Sequence, residues 1–326
     1  MKDIGIDLGT ANILIYVKGE GIVLNEPSVL AIDTDSKEIL AIGSEANEML
    51  GRTPGKVKAI KPLKDGVIAD FEYTEAMLAH FIKRVKGRGI LSKPRILICC
   101  PSNITAVEKN AIKEAAERLG AKRVFVEEEP KVAALGAGME ISKPSGNMVV
   151  DIGGGTTDIA VLSLGCIVNS ESIKIAGDSF DRAIVEYIKT KHNLLIGDKS
   201  AENIKLNLGT VSNSDKNHDM EIQGRDISKG LPATLKITEK EIEEALVPLA
   251  MDIVKHAKKV LENTPPELSA DIFDKGIVLT GGGALLKGIS DLFEKELGVP
   301  VYIAESPLTC VAEGCGVLLS NLYLID

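Results

Sequence analysis

Two short glycine-rich segments resemble copies of one hairpin. The first is Asp7–Asn12, with the sequence DLGTAN, and the second is Asp151–Asp158, with the sequence DIGGGTTD. Apolar residues on both sides predict flanking strands at 4–6, 13–17, 148–150 and 159–162. A turn built from glycine and small hydroxyl residues exposes backbone N–H groups that bind an anion. Two such turns, roughly half a chain apart, predict a duplicated domain that holds the phosphates of a nucleotide from both sides.

Each hairpin begins with an aspartate at the end of its entering strand. These residues are Asp7 and Asp151. Carboxylates are preferred ligands of Mg²⁺, which usually keeps several of its waters. We therefore predict that both aspartates hold Mg²⁺ through water molecules.

Composition excludes several classes of protein. The chain has 326 residues, 44% of them hydrophobic, which is enough for two packed domains. A net charge of −9 argues against nucleic acid as a main partner. The five cysteines lack CxxC spacing, which is typical of a reducing compartment. A strand predicted within three residues of the N-terminus leaves no room for a signal peptide, and no apolar run reaches membrane-spanning length, so we expect a cytoplasmic protein.

The predicted elements follow the order β-β-β-α-β-α-β-α twice, which indicates two α/β halves with inserted subdomains. We expect domain I at 1–144 with an insert at about 33–70, and domain II at 145–308 with an insert at about 180–247. Residues 143–146, Lys-Pro-Ser-Gly, are the best linker candidate. We expect a C-terminal helix at 309–326 to pack back onto domain I.

A third glycine cluster, Leu279–Leu286, follows a predicted strand and is expected to open a helix. Backbone amides at a helix start suit a nucleotide, but the same residues also suit a plain strand-to-helix turn. The cluster lacks the Gly-Lys-Ser/Thr of a Walker A loop and the spacing of a dinucleotide fingerprint.

The two hairpins and the third cluster, in this order and spacing, resemble the actin, heat-shock chaperone and sugar kinase ATPase superfamily. Within it, the chain is similar almost end to end to the MreB family of bacterial actins. The further motifs that carry this resemblance are Leu24–Val29, Lys64–Asp70, Glu128–Pro130 and Pro307–Ala312. Lys131–Ala134 and Ile175–Asp178 resemble the Mbl branch, although Ala176 replaces the glycine found in most MreB chains. The resemblance implies an actin-like duplicated α/β fold, with two domains and four subdomains around a nucleotide cleft.

The resemblance also implies roles for individual residues. The phosphate-binding residues it implies are Thr10, Ala11 and Asn12, together with Gly153, Gly154, Gly155, Thr156 and Thr157. The residues implied to face ribose and base are Glu202, Asn203, Ile204 and Lys205, with the pocket closed by Gly281, Gly282, Gly283 and Ala284. Gly177 and Asp178 are implied to lie near the nucleotide. From the residues alone, a surface ion pair is favoured for Glu202 and Lys205, and helix caps are favoured for Asp178 and Asp181.

Phosphoryl transfer needs mainly positioning and charge neutralisation, so a carboxylate that orients the attacking water is expected. The three consecutive glutamates at 127–129 are candidates, and spacing alone does not choose among them. The resemblance chooses Glu129, which adjoins Pro130, with Thr156 assisting. The alternative is that these acids only stabilise the start of a helix.

The resemblance implies a cytoskeletal protein that binds ATP and Mg²⁺, hydrolyses ATP slowly, and polymerises into filaments at the inner face of the cell membrane. Its implied partners are other copies of itself, an anionic membrane surface, and the cell-wall synthesis and morphogenesis proteins that set rod shape. The alternative is a small-molecule kinase of the same superfamily. Such a kinase needs a catalytic aspartate in the cleft, and we find no unassigned aspartate beside the hairpins.

The segment Lys83–Arg95 holds six basic residues and no acidic one, although the chain is acidic overall. We expect Ile90 and Leu91 to lie at the tip of this loop and to insert into an anionic membrane. Such an anchor is weak for one subunit and strong for a filament that presents many copies. The alternative is an ordinary loop with both side chains tucked beneath it.

Overall fold

The computed structural model describes residues 3–86, 93–102, 104–212 and 218–321. In chain order, the first half comprises β1 (Ile4–Leu8), β2 (Asn12–Val17), β3 (Gly21–Pro27), β4 (Leu30–Asp33), β5 (Ile39–Ile42), α1 (Ser44–Met49), β6 (Val57–Ile60), β7 (Leu63–Lys64), β8 (Val67–Ile68), α2 (Phe71–Lys86), β9 (Arg95–Cys100), α3 (Ala106–Arg118), β10 (Arg123–Glu128) and α4 (Glu129–Gly136). The second half comprises β11 (Asn147–Ile152), β12 (Thr157–Ser163), β13 (Cys166–Ile173), α5 (Gly177–His192), β14 (Leu194–Leu195), α6 (Asp198–Leu208), β15 (Asp219–Asp226), β16 (Pro232–Thr238), α7 (Glu239–Glu262), α8 (Pro266–Lys275), β17 (Ile277–Thr280), a 3₁₀ turn (Gly282–Leu285), α9 (Ile289–Leu297), β18 (Val301–Ile303) and α10 (Cys310–Ser320).

The two large sheets have the same topology. The first has the strand order β3-β2-β1-β9-β10 and the second has the order β13-β12-β11-β17-β18. In each sheet the first three strands are antiparallel neighbours, and the last two join the hairpin strand in parallel. The duplication predicted from the hairpins is therefore confirmed.

Local sequence sets several helix starts. Thr105 and Thr238 cap α3 and α7, and in each a glutamate three residues later completes a capping box. Helix α2 begins at Phe71, three residues before Thr74. The Asp70 carboxylate accepts the N–H of Tyr73 at 3.1 Å, and the Thr74 hydroxyl donates to the Asp70 carbonyl instead.

A small insert follows the first hairpin unit and another follows α5. The first contains the three-stranded sheet β5-β4-β6 with α1, and the second contains the sheet β14-β15-β16. Each large sheet keeps its own aliphatic core. The inserts therefore extend from the two sheets without replacing any strand of them.

Helices α4 and α10 share a core with residues from both sheets. A Cβ at Gly136 would lie 1.8 Å from the Cys310 carbonyl oxygen, and one at Gly314 would lie 2.0 Å from the Val132 carbonyl oxygen. These glycines allow the two helices to pack backbone against backbone. The α10 helix thereby returns to the first sheet, where Cys315 packs on Gly5 of β1. Within the described ranges, no helix combines the length and apolar character needed to cross a membrane.

A candidate nucleotide site between two glycine hairpins

The two glycine hairpins touch each other directly. A Cβ at Gly154 would lie 2.6 Å from the Ala11 Cβ, and a Cβ at Gly155 would lie 2.6 Å from the Thr10 Oγ1. Real Cβ atoms essentially never approach so closely, so only glycine allows this contact. The backbone N–H groups of both turns therefore belong to one site.

Ser28 braces the first hairpin. Its hydroxyl donates to the Gly9 carbonyl at 2.7 Å, and its N–H donates to the Ala11 carbonyl at 2.9 Å. Ser28 is fully buried, whereas Asn12, at the start of β2, is exposed. Ser28 lies in a motif that the sequence analysis used only for family resemblance, so its supporting role was missed.

The second hairpin is held by its own polar groups. The Gly153 N–H donates to the Thr156 carbonyl at 2.9 Å, which closes the turn. The Thr157 hydroxyl donates to the Ile175 carbonyl at 2.6 Å, and Thr157 is fully buried. Its hydroxyl thus serves the fold, and any contact of Thr157 with phosphate would come from the backbone.

Helix α5 begins against the second hairpin. The N–H groups of Gly177 and Asp178 donate to the Gly153 and Gly154 carbonyls at 3.1 and 2.7 Å. No side chain caps this helix, which contradicts the alternative interpretation of Asp178 and Asp181 as caps. Asp178 instead forms an ion pair at 3.1 Å with Lys61, from the first half of the chain.

Asp151 is buried, Asp7 is partly buried, and the two carboxylates are close enough to repel each other. Burial, and then the charge of Asp151, raise the pKa of Asp7 to about 7. Burial raises the pKa of Asp151 to about 6. The Thr280 hydroxyl donates to the Asp151 carboxylate at 2.8 Å and lowers this pKa in part. A divalent cation would offset this repulsion. Among the described residues no group of three His, Cys, Asp or Glu side chains is placed to hold a metal ion.

The structure separates the three consecutive glutamates. Glu127 pairs with Lys131 at 3.2 Å, and Glu128 pairs with Lys109 at 3.6 Å. Glu129 is buried, and its Oε1 has no hydrogen-bond partner among the residues described. Burial raises the pKa of Glu129 well above its usual range, and the charges of three nearby aspartates add to this effect, with Asp158 first among them.

The third glycine cluster packs against the second hairpin strand. A Cβ at Gly281, where φ is +78°, would lie 2.3 Å from the Ile152 carbonyl oxygen, and one at Gly283 would lie 2.2 Å from the Ile152 Cγ2. Ala284 is fully buried, and the expected α-helix is only a 3₁₀ turn. Close packing therefore accounts for Gly281 and Gly283. A Cβ at Gly282 would meet only the Leu308 side chain, at 3.2 Å.

Helix α6 brings Lys205 to the second hairpin. Its ammonium group donates to the Gly177 carbonyl at 3.1 Å and pairs with Asp181 at 2.9 Å. In the structure Lys205 thus pairs with Asp181, and not with Glu202 as the residues alone predicted. Glu202 and Asn203 are exposed, whereas Ile204 is fully buried and serves the core of this half.

A turn that the sequence analysis did not assign to the site also reaches it. Asp65 and Gly66 connect β7 and β8, with φ of +49° and +72°. The Gly66 N–H donates to the Thr10 Oγ1 at 3.3 Å, and a Cβ at Gly66 would lie 2.3 Å from the Thr156 Cγ2. An Asp-Gly pair at a two-residue turn is a recognisable sequence pattern, but its contact with both hairpins depends on the tertiary fold. The predicted membrane residues Ile90 and Leu91 lie outside the described residues.

Comparisons with known proteins agree with this geometry. The family model of the MreB/Mbl protein matches residues 1–326. The cell shape-determining protein Mbl of Bacillus subtilis is 62% identical over 321 residues, which cover 98% of this chain and 96% of that protein. The cell shape-determining protein MreB of Escherichia coli K12 is 51% identical, over 98% of this chain and 94% of that protein.

A solved structure is similar over its whole length. The crystal structure of an MreB of Spiroplasma citri, MreB5, bound to AMPPNP, matches with a TM-score of 0.94 and 43% identity, and covers 99% of this chain and 97% of that one. The predicted actin-like fold is confirmed by this match. On the sequence match along the whole chain and the identity to these relatives, this chain belongs to the MreB/Mbl family.

Proposed function

We propose that this chain is an actin-like cytoskeletal protein that binds ATP with Mg²⁺, hydrolyses it slowly, and couples hydrolysis to filament assembly. The observation that carries the proposal is the direct contact of the two hairpins, with Asp7, Asp151 and Glu129 gathered beside it. The relative of known structure at 43% identity is bound to AMPPNP, an ATP analogue, which supports ATP as the ligand.

The residues of the cleft would divide the work of hydrolysis. Backbone N–H groups of both turns would hold the phosphates, and Asp7 and Asp151 would hold Mg²⁺ through its waters. Bound Mg²⁺ supplies charge neutralisation on the phosphates. Glu129, whose Oε1 is free to accept a hydrogen bond, would orient the attacking water, and the Thr156 hydroxyl would assist. Burial raises the pKa of Glu129, which makes its carboxylate a stronger base toward the attacking water.

The nucleoside would lie beside helices α5 and α6. The Lys205 ammonium contacts the carbonyl of Gly177, whose own N–H is bonded to the second hairpin. Glu202 and Asn203 lie exposed on the same helix as Lys205 and would be available to ribose and base. The choice of ATP over another nucleotide rests on the family relationship.

The names of the relatives support the cellular role that we propose. Mbl and MreB, at 62% and 51% identity, are named as cell shape-determining proteins. We propose that filaments of this chain lie at the inner face of the membrane, bind it through Ile90 and Leu91, and organise cell-wall synthesis and morphogenesis proteins. The implied partners are thus further copies of the chain, anionic lipid and those proteins.

Sedimentation and light scattering with ATP and Mg²⁺, together with phosphate release, test this proposal. We expect polymer and slow release with the wild-type protein, and strongly reduced release with Asp151→Ala. ATP turnover that requires an added small-molecule acceptor, without polymer, would instead support a kinase of the same superfamily. Single subunits or closed rings in electron micrographs at all protein concentrations would contradict assembly into filaments.

A further inference from the structure

Asp158 closes the second hairpin and has a buried carboxylate that no role so far described uses, so the expectation that no unassigned aspartate lies beside the hairpins is wrong. It lies in β12 with 1% of its surface exposed, and it is the register partner of Asp151 in β11. Directly opposed residues of antiparallel strands project from the same face of the sheet, with Cβ atoms about 5 Å apart. Asp158 therefore projects toward the same side of the second sheet as the proposed metal-binding aspartate.

The Asp158 carboxylate also links the two halves of the molecule. It accepts the backbone N–H of Ser102 at 3.1 Å, and Ser102 follows β9 in the first sheet. The neighbouring strand β10 pairs Glu128 with Cys100, so Glu129 leaves the sheet at the same edge as Ser102. The bond from Ser102 to Asp158 therefore ties the second half to the edge that carries Glu129.

Hydroxyl groups lie near this carboxylate. Burial raises the pKa of Asp158, and the backbone N–H of Ser102 and the hydroxyls of Ser172, Thr156 and Ser102 offset part of this effect. Thr156 belongs to the second hairpin and is itself buried. Asp158 follows Thr156 by two residues in the chain, and the charge of Asp158 raises the pKa of Glu129, which belongs to the other half of the molecule.

We propose that Asp158 is a positioning residue for ATP hydrolysis, which holds the Thr156 hydroxyl and fixes its separation from Glu129 through the bond to Ser102. This role rests on the proposed ATPase function. Asp158 itself touches neither the phosphates nor the attacking water in this assignment. It sets the geometry in which Thr156, from one half, and Glu129, from the other, meet at the same water.

The replacement Asp158→Asn tests this role. An asparagine keeps one oxygen for the Ser102 N–H but places an NH₂ group where the second carboxylate oxygen accepts hydrogen bonds. We expect the affinity for a fluorescent ATP analogue to stay within about threefold of wild type, because the hairpins are intact, while single-turnover hydrolysis falls at least about tenfold. A matched control is Asp3→Asn, which alters another buried aspartate, paired with Arg95 at the opposite end of β1 from Asp7.

A double-variant cycle separates positioning from general damage. If Asp158 acts through Thr156, then Thr156→Val combined with Asp158→Asn should hydrolyse ATP no more slowly than the slower single variant. The role would be overturned if the two single-variant rate reductions multiplied in the double variant. It would also be overturned if Asp158→Asn lost ATP affinity and hydrolysis rate equally. Should Asp158→Asn fail to fold by circular dichroism, Asp158→Ser carries the same expectation.

Hydrolysis by the wild-type protein separates a failure of the Asp158 role from a failure of the proposed function. Wild-type hydrolysis together with an unchanged rate for Asp158→Asn would overturn only the role of Asp158. A wild-type protein that binds but never hydrolyses ATP would overturn the proposed function and this role with it.

Discussion

A single methyl group at Gly155 should force the two hairpins apart. In Gly155→Ala the new Cβ would lie 2.6 Å from the Thr10 Oγ1 and 2.8 Å from its Cγ2. The shorter distance is about 0.8 Å below the 3.4 Å at which ordinary contact begins. Thr10 is buried, and its Oγ1 accepts the Gly66 N–H, so a rotation of its side chain would break that bond. The backbone of one hairpin must therefore move.

The cost of such overpacking is typically about 1–3 kcal/mol. Both turns must reach the same phosphates when nucleotide is bound. If this bound state is destabilised by that amount, the affinity for ATP should drop by about 5- to 150-fold. A displacement near 1 Å can also reduce the rate of a positioned reaction by about 100-fold. We therefore expect Gly155→Ala to lose more in hydrolysis than in binding.

Titration with a fluorescent ATP analogue and single-turnover phosphate release measure the two effects. The matched control is Gly153→Ala, where the nearest atom to the new Cβ is the Thr156 carbonyl oxygen at 3.2 Å, a gap that a small shift can relieve. We expect this control to stay within about threefold of wild type, since the required movement is only a few tenths of an ångström. Equal affinities and rates for the two variants would refute the idea that hairpin contact sets the site.

Three further changes test separate parts of the site. The pKa of Asp7 is raised from 3.8 to about 7, so protonation of Asp7 stabilises the apo protein at low pH, and this stabilisation is lost as pH rises toward 7. Without Mg²⁺, the unfolding temperature should therefore fall between about pH 4 and about pH 7. The variant Asp7→Asn should show a flatter dependence of unfolding temperature on pH. A wild-type profile for Asp7→Asn would contradict the burial of this charge. Glu129→Gln should bind ATP normally but release phosphate at least about tenfold more slowly, whereas Glu127→Gln, a matched change in an ion-paired neighbour, should not. Equal rates for these two would move the water-orienting role elsewhere. Ile90→Ser with Leu91→Ser should abolish co-sedimentation of filaments with anionic liposomes and spare polymer formation, and retained liposome binding would place the membrane contact at another surface.

Local sequence predicted the parts of this fold whose hydrogen bonds close within a few residues. The two hairpins were predicted from glycine, hydroxyl and aspartate residues that determine a tight turn on their own. The capping boxes at Thr105 and Thr238 place the starts of α3 and α7 for the same reason, since the partners are three residues away. At the start of α2, Asp70 and Thr74 both suit a cap, and the structure uses the Asp70 carboxylate, which accepts the Tyr73 N–H.

Tertiary structure decided which of several equivalent residues faces the cleft. Among the three glutamates, Glu129 alone lies buried near acidic groups of the other half, while its two neighbours find lysine partners. The glycines at 281 and 283 had two possible uses, and contact with Ile152, more than a hundred residues earlier, shows that they are needed for packing. Such contacts join residues that are remote in sequence, so no local pattern encodes them. The sequence by itself determined the two turns, and the packing of one half on the other determined what those turns can hold between them.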